Sequence, residues 1–526
     1  MKKSNITKIA AGALLLSMTA TACSSGKSTD SSLAADKGNY AAAPHEVINY
    51  EGIAVEEAYC DEGYYEEFNT EEYNAITENS FINVADEPLS TFAADVDTGS
   101  YCNLRRLIND GWDLGNVASS IRTEEMINYF DYKVDDTSEV FSVQYSVGDC
   151  PWNSENKLLV MTMQANAEEN IPNAGNNFVF LIDTSGSMSF DNKLSLAIES
   201  FKLLAQTLAP NDRVSVVTYS GTSETVLAGS NNYKDICNAL DSLEASGGTN
   251  GSGGIEAAYE CAMSNFIENG NNRVIIASDG DMNLGITSQS GLTDLITEKK
   301  ESGVFLTVLG FGSGNYSDAN MEAIADAGNG NYFYIDSISE AEHVLCEKMK
   351  QTTITVAKDV KFQVEFNPLE ISSYRLIGYE NRTMSSSDFS DDTKDGGEIG
   401  AGAQVTVCYE LVPANGEVSG DLKYQDLTPN ENANSGELCT VSVRYKAPTS
   451  DVSELIEYPL MDNGISNRED FNFICGVIEA SLVLRESDYV GTATLDSAYQ
   501  LANSGAGNNK YRVEFCDLLV KLGADA

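Results

Sequence analysis

Histidine is nearly missing from this chain: His45 and His343 are the only two in 526 residues. Eleven cysteines are present, yet no two form a C-x-x-C pair. These gaps argue against a structural zinc site, which gathers Cys and His at close spacing. They also leave no evident base for a Ser-His-Asp triad, and the expectation is that the protein is not an enzyme and has no catalytic residues. Basic residues are scarce, 32 against 80 acidic, for a formal charge of −48. Such a chain repels nucleic-acid phosphates and anionic membrane surfaces, while acidity suits solubility and cation binding. No segment beyond the N-terminus reaches the run of about 18 apolar residues that a membrane-spanning helix needs. Cysteine is too sparse for a disulfide framework, so most of these thiols are expected to be buried and free.

The N-terminus carries the one concentrated basic start. Lys2, Lys3 and Lys8 lead into an apolar run from Ile9 to Met18, too short to cross a bilayer. Thr19-Ala-Thr-Ala-Cys23 follows, and this segment resembles a bacterial lipoprotein box, although Ala20 stands where leucine is commonest. The resemblance implies that residues 1–22 are a lipoprotein signal peptide and that Cys23 carries lipid as the only membrane anchor. The protein is then exported and faces outside the cytoplasm. Plain secretion with cleavage near Ala22 is the alternative. Residues 23–68 lack periodic patterning and read as a disordered acidic tether.

Residues 69–135 read as a small α/β unit, with a strand at Leu89–Val96 and helices at about 101–108 and 122–130. Asp97-Thr-Gly-Ser100 resembles the active turn of an aspartic protease, but that chemistry needs two such carboxylates and no second turn matches. Helix capping by Asp97 or Ser100 is the simpler expectation, with a minor cation site at Asp95 and Asp97 as the other. Residues 136–172 alternate polar and apolar positions, as half-buried antiparallel strands do. Residues 173–350 alternate strands with helices, the mark of a doubly wound α/β domain with a mostly parallel sheet. β character returns over 351–460, and 461–526 is a C-terminal helical region. The β segments on both sides predict one β-sandwich into which the α/β domain is inserted. The acidic loop from Asp388 to Glu398 fits no EF-hand spacing and reads as solvated surface.

The stretch from Phe178 to Met188 organises the α/β domain. A buried strand, Phe178 to Ile182, runs into a turn carrying Asp183, Ser185 and Ser187 at alternate positions. One carboxylate and two hydroxyls so spaced can point into one small volume, where hard oxygens suit Mg²⁺, Mn²⁺ or Ca²⁺. A helix N-terminus rich in capping residues would show the same letters. The loop Gly247–Gly254 lacks the lysine and G-K-[S/T] ending of a phosphate-binding P-loop. It contains Thr249, and a later strand ends at Ser278-Asp279. If these strands neighbour the first, five oxygen donors meet at one sheet edge, where open α/β sheets place ligands.

In these residues the chain resembles the von Willebrand factor type A domain and its metal-ion-dependent adhesion site. The pattern is D-x-S-x-S, then a threonine, then an aspartate, met here by Asp183, Ser185, Ser187, Thr249 and Asp279. Pro88-Leu-Ser-Thr-Phe92, Glu124–Asp131, Cys150-Pro-Trp152, Ala327–Gly330 and Gly378–Arg382 further resemble the bacterial YfbK-type A-domain lipoproteins, from about residue 69 onward. The resemblance implies a surface lipoprotein whose five residues hold a divalent cation, Mg²⁺ before Mn²⁺ or Ca²⁺. An open coordination position then takes a carboxylate from a protein ligand. A cell-envelope structural or assembly factor, in which the metal only stabilises the fold, is the alternative. No other cofactor is expected.

Overall fold

Strand β5 (Asn176–Asp183) shows why the α/β domain has two helical layers. Its side chains alternate between faces. Phe178, Phe180 and Ile182 enter one apolar cluster with α3 (Leu196–Gln206), α4 (Tyr233–Asp241) and α8 (Ile338–Glu342). Val179 and Leu181 enter another with α5 (Gly251–Ser264), α6 (Gln289–Lys300) and α7 (Asp318–Ala327). Phe180 stacks on Phe201 of α3 with ring centroids 4.2 Å apart. Each such buried aromatic contributes about 2–3 kcal/mol. The remaining strands are β6 (Arg213–Tyr219), β7 (Ser223–Ser230), β8 (Asn271–Ser278), β9 (Phe305–Phe311) and β10 (Tyr332–Ile335). The sheet order is β10-β9-β8-β5-β6-β7, parallel except for the antiparallel edge strand β7.

This computed structural model describes residues 76–111, 121–166, 174–280, 285–312, 318–349, 351, 354–394, 396–414, 429–448 and 450–525. The expected signal peptide, Cys23 and the tether lie outside the described residues. So does Cys60; the nine described cysteines are free thiols. No helix among the described residues is long and apolar enough to cross a membrane.

Before the α/β domain come β1 (Ile82–Asn83), β2 (Leu89–Ala93), α1 (Gly99–Asp110), α2 (Thr123–Asn128), β3 (Phe141–Asp149) and β4 (Lys157–Ala165). After it come β11 (Thr355–Phe366), β12 (Ile371–Ile377), β13 (Gly397–Gly400), β14 (Gln404–Pro413), β15 (Glu437–Lys446) and β16 (Ser453–Met461). Three helices close the chain: α9 (Arg468–Leu484), α10 (Leu495–Ala506) and α11 (Lys510–Lys521). One sheet runs β1-β12-β14-β4-β3; the other runs β13-β11-β15-β16, with β2 also on β11. β4 pairs with β14 from Lys157↔Leu411 to Gln164↔Gln404, so strands from both sides of the α/β domain share one sheet.

Leu159, Met161 and Met163 of β4 face the other sheet, in one cluster with its Phe362, Val441 and Val443. Leu158 and Val160 face outward, but into Met126, Phe473 and Ile474 of the α2 and α9 helices. β4 is therefore buried on both faces rather than half-buried, because helices from both chain ends cover its outer side. The strand at Leu89–Ala93 belongs to the sandwich, while α1 and α2 pack between it, the α/β domain and the C-terminal helices.

Three arginines, Arg105 and Arg122 buried and Arg382 half-buried, fix the α/β domain to its surroundings. Arg382 pairs with Asp95 (3.0 Å), Asp97 (3.4 Å) and Asp326 (2.9 Å). Arg105 pairs with Asp336 (2.6 Å), Glu340 (2.8 Å) and Glu514 (3.0 Å). Arg122 bridges Glu125 and Glu322, each at 2.8 Å. The caps expected of Asp97 and Ser100 do not form. Thr98 is the N-cap of α1 without a side-chain bond, Asp97 accepts from the Tyr332 N–H at 3.0 Å, and Ser100 Oγ accepts from the Arg122 N–H. The Arg382 guanidinium supplies the positive charge that a cation at Asp95 and Asp97 would bring.

Candidate metal centre

Strand register places the expected donors. β5 lies between β6 and β8, with Asp183 level with Tyr219 and Ile182 level with Ala277. Asp183, Tyr219 and the Ser278-Asp279 end thus share the carboxyl edge of the sheet. The chain then leaves β5 through the turn Gly186–Ser189 and a single wide helical turn, Asp191–Ser195, before α3 begins.

Backbone hydrogen bonds lash the loop bearing Thr249 onto this turn. Gly186 N–H donates to Gly247 O at 3.0 Å, Ser246 N–H to Thr184 O at 2.7 Å, and Asn250 N–H to Ser220 O at 2.6 Å. Asn250 then caps α5 by accepting from the Gly253 N–H at 3.2 Å. Thr249 is buried at the mouth of that helix.

Asp183 is fully buried. Its Oδ1 accepts from the Ser185 N–H at 2.9 Å and its Oδ2 from the Ser278 hydroxyl at 3.0 Å. Burial pushes its carboxyl up to about 6; the Ser185 and Ser278 hydrogen bonds oppose that rise and the Asp279 charge adds to it. Ser185 and Ser187 hydroxyls lie 3.0 Å apart, with Ser185 buried and Ser187 partly open to solvent. Beside Asp183 and Ser278 the Tyr219 hydroxyl is buried. Burial and the Asp183 charge hold that phenol well above its usual range. Asp279 is fully buried, and its Oδ2 accepts from the Lys193 ammonium at 2.9 Å.

The structure therefore brings all five sequence-chosen residues to one sheet edge. It adds three that the sequence reading missed. Ser278 was legible as the neighbour of Asp279 at a strand end. Tyr219 ends the adjacent strand. Lys193 carried one signal only, a lysine beside Leu194 at the opening of an otherwise apolar helix face.

Two carboxylates with three hydroxyls form a hard, weakly charged donor set, which suits a divalent cation that keeps some of its water. The Tyr219 hydroxyl, buried beside Asp183 and Ser278, adds a further hard oxygen at the same edge. Among the described residues no three His, Cys, Asp or Glu side chains cluster for a metal, so any ion here leans on hydroxyl oxygens. His343 lies elsewhere, bonded to Glu347 at 2.9 Å and packed on Tyr129 and Tyr511.

Three family models match the chain: "von Willebrand factor" over residues 67–160, "von Willebrand factor type A domain" over 178–281, and "Uncharacterized protein YfbK, C-terminal" over 351–524. The chain is 40% identical over 458 residues to the uncharacterized protein YfbK of Escherichia coli K12, covering 84% of this chain and 79% of that one. It is 29% identical over 184 residues to mouse inter alpha-trypsin inhibitor heavy chain 4, covering 33% of this chain and 19% of that protein. Among solved structures, a von Willebrand factor type A protein from Catenulispora acidiphila aligns with a TM-score of 0.40 at 17% identity, over 71% of this chain and 88% of its own.

Proposed function

This chain belongs to the YfbK family of von Willebrand factor type A domain proteins, and from that premise we propose that it is a surface-anchored lipoprotein that binds a protein ligand through a divalent cation. Asp183, Ser185, Ser187, Thr249 and Asp279 would hold the ion, Mg²⁺ before Mn²⁺ or Ca²⁺. The observation that carries this reading is the meeting of those residues, from three separate loops, at one buried sheet edge. When bound, the ion supplies a Lewis-acidic position for a carboxylate of the partner. The chain's own residues do the rest. Ser185 and Ser278 orient Asp183, the bonds from Gly186 and Asn250 hold the threonine loop in place, and Ser187 marks the solvent-facing side. Cys23 would carry the lipid that anchors the protein outside the cytoplasm. No reaction is part of this reading.

The test is capture of partners from intact cell surface with Mg²⁺ or with EDTA, using the native chain and Asp279→Ala. Capture that depends on both Mg²⁺ and Asp279 supports the reading; capture unchanged in both arms refutes it. The alternative is a cell-envelope structural or assembly factor in which the ion only stabilises the fold. In that case Mg²⁺ raises the melting temperature while no partner is retained.

A further inference from the structure

Lys193 is the one cation that the described site already contains. Its side chain is 2% exposed and its partner Asp279 is 0% exposed. The stem crosses Gly312 at the end of β9; a Cβ there would lie 2.3 Å from Lys193 Cε. Gly312 also holds φ +88°, so both its conformation and its lack of a side chain make room for the lysine. The wide turn Asp191–Ser195 then delivers the ammonium to Asp279 Oδ2 rather than to solvent. A buried lysine that merely filled space would not need a glycine platform, a widened turn and a carboxylate together.

We propose that Lys193 is a built-in competitor for the divalent cation, sharing or surrendering Asp279 when an ion arrives. The inference rests on the reading that Asp279 is a cation ligand. Against two carboxylates, the ammonium leaves the described site one net negative charge instead of two. It therefore weakens cation binding by the free chain. With the ion bound, the same count gives one net positive charge, which favours an anionic ligand. Lys193 thus ties retention of the cation to the presence of a carboxylate-bearing partner, a property that Asp183, Ser185, Ser187, Thr249 and Asp279 alone would not confer.

The experiment is isothermal titration of the metal-free full chain with MgCl₂ at constant pH, for the native protein, Lys193→Met and Lys193→Arg. Removing one positive charge from this buried setting should tighten Mg²⁺ binding by at least about tenfold in Lys193→Met. Lys193→Arg should bind no more tightly than the native chain. Equal or weaker Mg²⁺ binding by Lys193→Met overturns the proposal and leaves the metal-site reading standing. Binding by Lys193→Met alone supports the proposal and contradicts a functional cation in the native chain. No binding by any of the three defeats both. If Lys193→Met is unfolded without metal, Lys193→Gln replaces it, read by the Mg²⁺-induced rise in melting temperature. A rise no greater than that of the native chain overturns the proposal.

Discussion

At the scale of single residues, two kinds of buried ionisable group are present. Lys193 and Asp279 satisfy each other, whereas Glu124 is fully buried with neither carboxyl oxygen hydrogen-bonded. Burial first, then the charges of Glu380, Glu125 and Asp95, hold the Glu124 carboxyl well above its ordinary 4.5. The folded chain keeps this proton at pH values where the unfolded chain has lost it. The resulting stability is fullest below 4.5 and falls as pH rises through the window between the two values, by at most about 1.4 kcal/mol per unit. Glu124→Gln removes the titrating group while keeping its shape. Urea denaturation should show the variant gaining on the native chain as pH rises above 4.5, with little difference below it. A gain that grows as pH falls would contradict the assignment.

The five donors were legible because each stands at a strand end or in the loop opening a helix, positions that hydrophobic runs mark in the sequence. Lys193 was not, because its partner lies 86 residues away and only the register of β5, β8 and β9 brings them together. Arg382 escaped for the same reason, its three carboxylates being spread from Asp95 to Asp326.

At the scale of elements, the long apolar strands and helices matched the sequence pattern, and the short or mixed ones did not. β16 carries Pro459 and mostly exposed or half-exposed positions, so no apolar alternation announced it. α10 opens with a capping box that uses Ser497 in place of the usual Glu or Gln, and its buried residues are only alanine and glycine. Asp388–Glu398 was read as surface, and β13 starts at its end, at Gly397, with its pairing to β11 supplied by the distant Thr355–Val360 segment. The tightest element junction is the turn from α7 into β10. A Cβ on Gly330 would sit 1.3 Å from the Leu306 carbonyl oxygen. Backbone cannot yield that far without breaking β9 from β10, so Gly330→Ala should cost about 3 kcal/mol or more. Chemical denaturation, or loss of soluble protein on expression, would report it; a variant within about 0.5 kcal/mol of native stability would show that the junction relaxes freely.

At the scale of the whole molecule, an α/β domain is inserted in sequence between the strands of one sandwich and is held by arginines as well as by a shared apolar cluster. Arg382 links the segment after β2 (Asp95 and Asp97) and α7 (Asp326) to the loop after β12 in which it stands. Arg382→Ala strands Asp95 and Asp97, both buried, and removal of one partner from such a network costs about 3–5 kcal/mol. Calorimetry should resolve one transition in the native chain. In Arg382→Ala it should resolve two, as the α/β domain melts apart from the sandwich. A single transition in both, at the same temperature, would mean that Arg382 does not join the two parts. The overall charge of −48 acts at longer range, drawing cations toward every face of the protein, so cation binding as such proves little unless it is assigned to residues.

Assignment to residues is therefore the most direct test of the central claim, that the sheet edge at Asp183 holds one divalent cation. Mn²⁺ binding to the metal-free full chain, followed by electron paramagnetic resonance with excess salt to suppress loose surface ions, counts tightly held ions. The expected result is one site-bound ion per native chain at saturating Mn²⁺, held less tightly than in Lys193→Met, and lost in Asp183→Asn and in the Ser185→Ala, Ser187→Ala double variant when both keep the native circular dichroism. One tight ion retained in those variants, or none in the native chain, would contradict it.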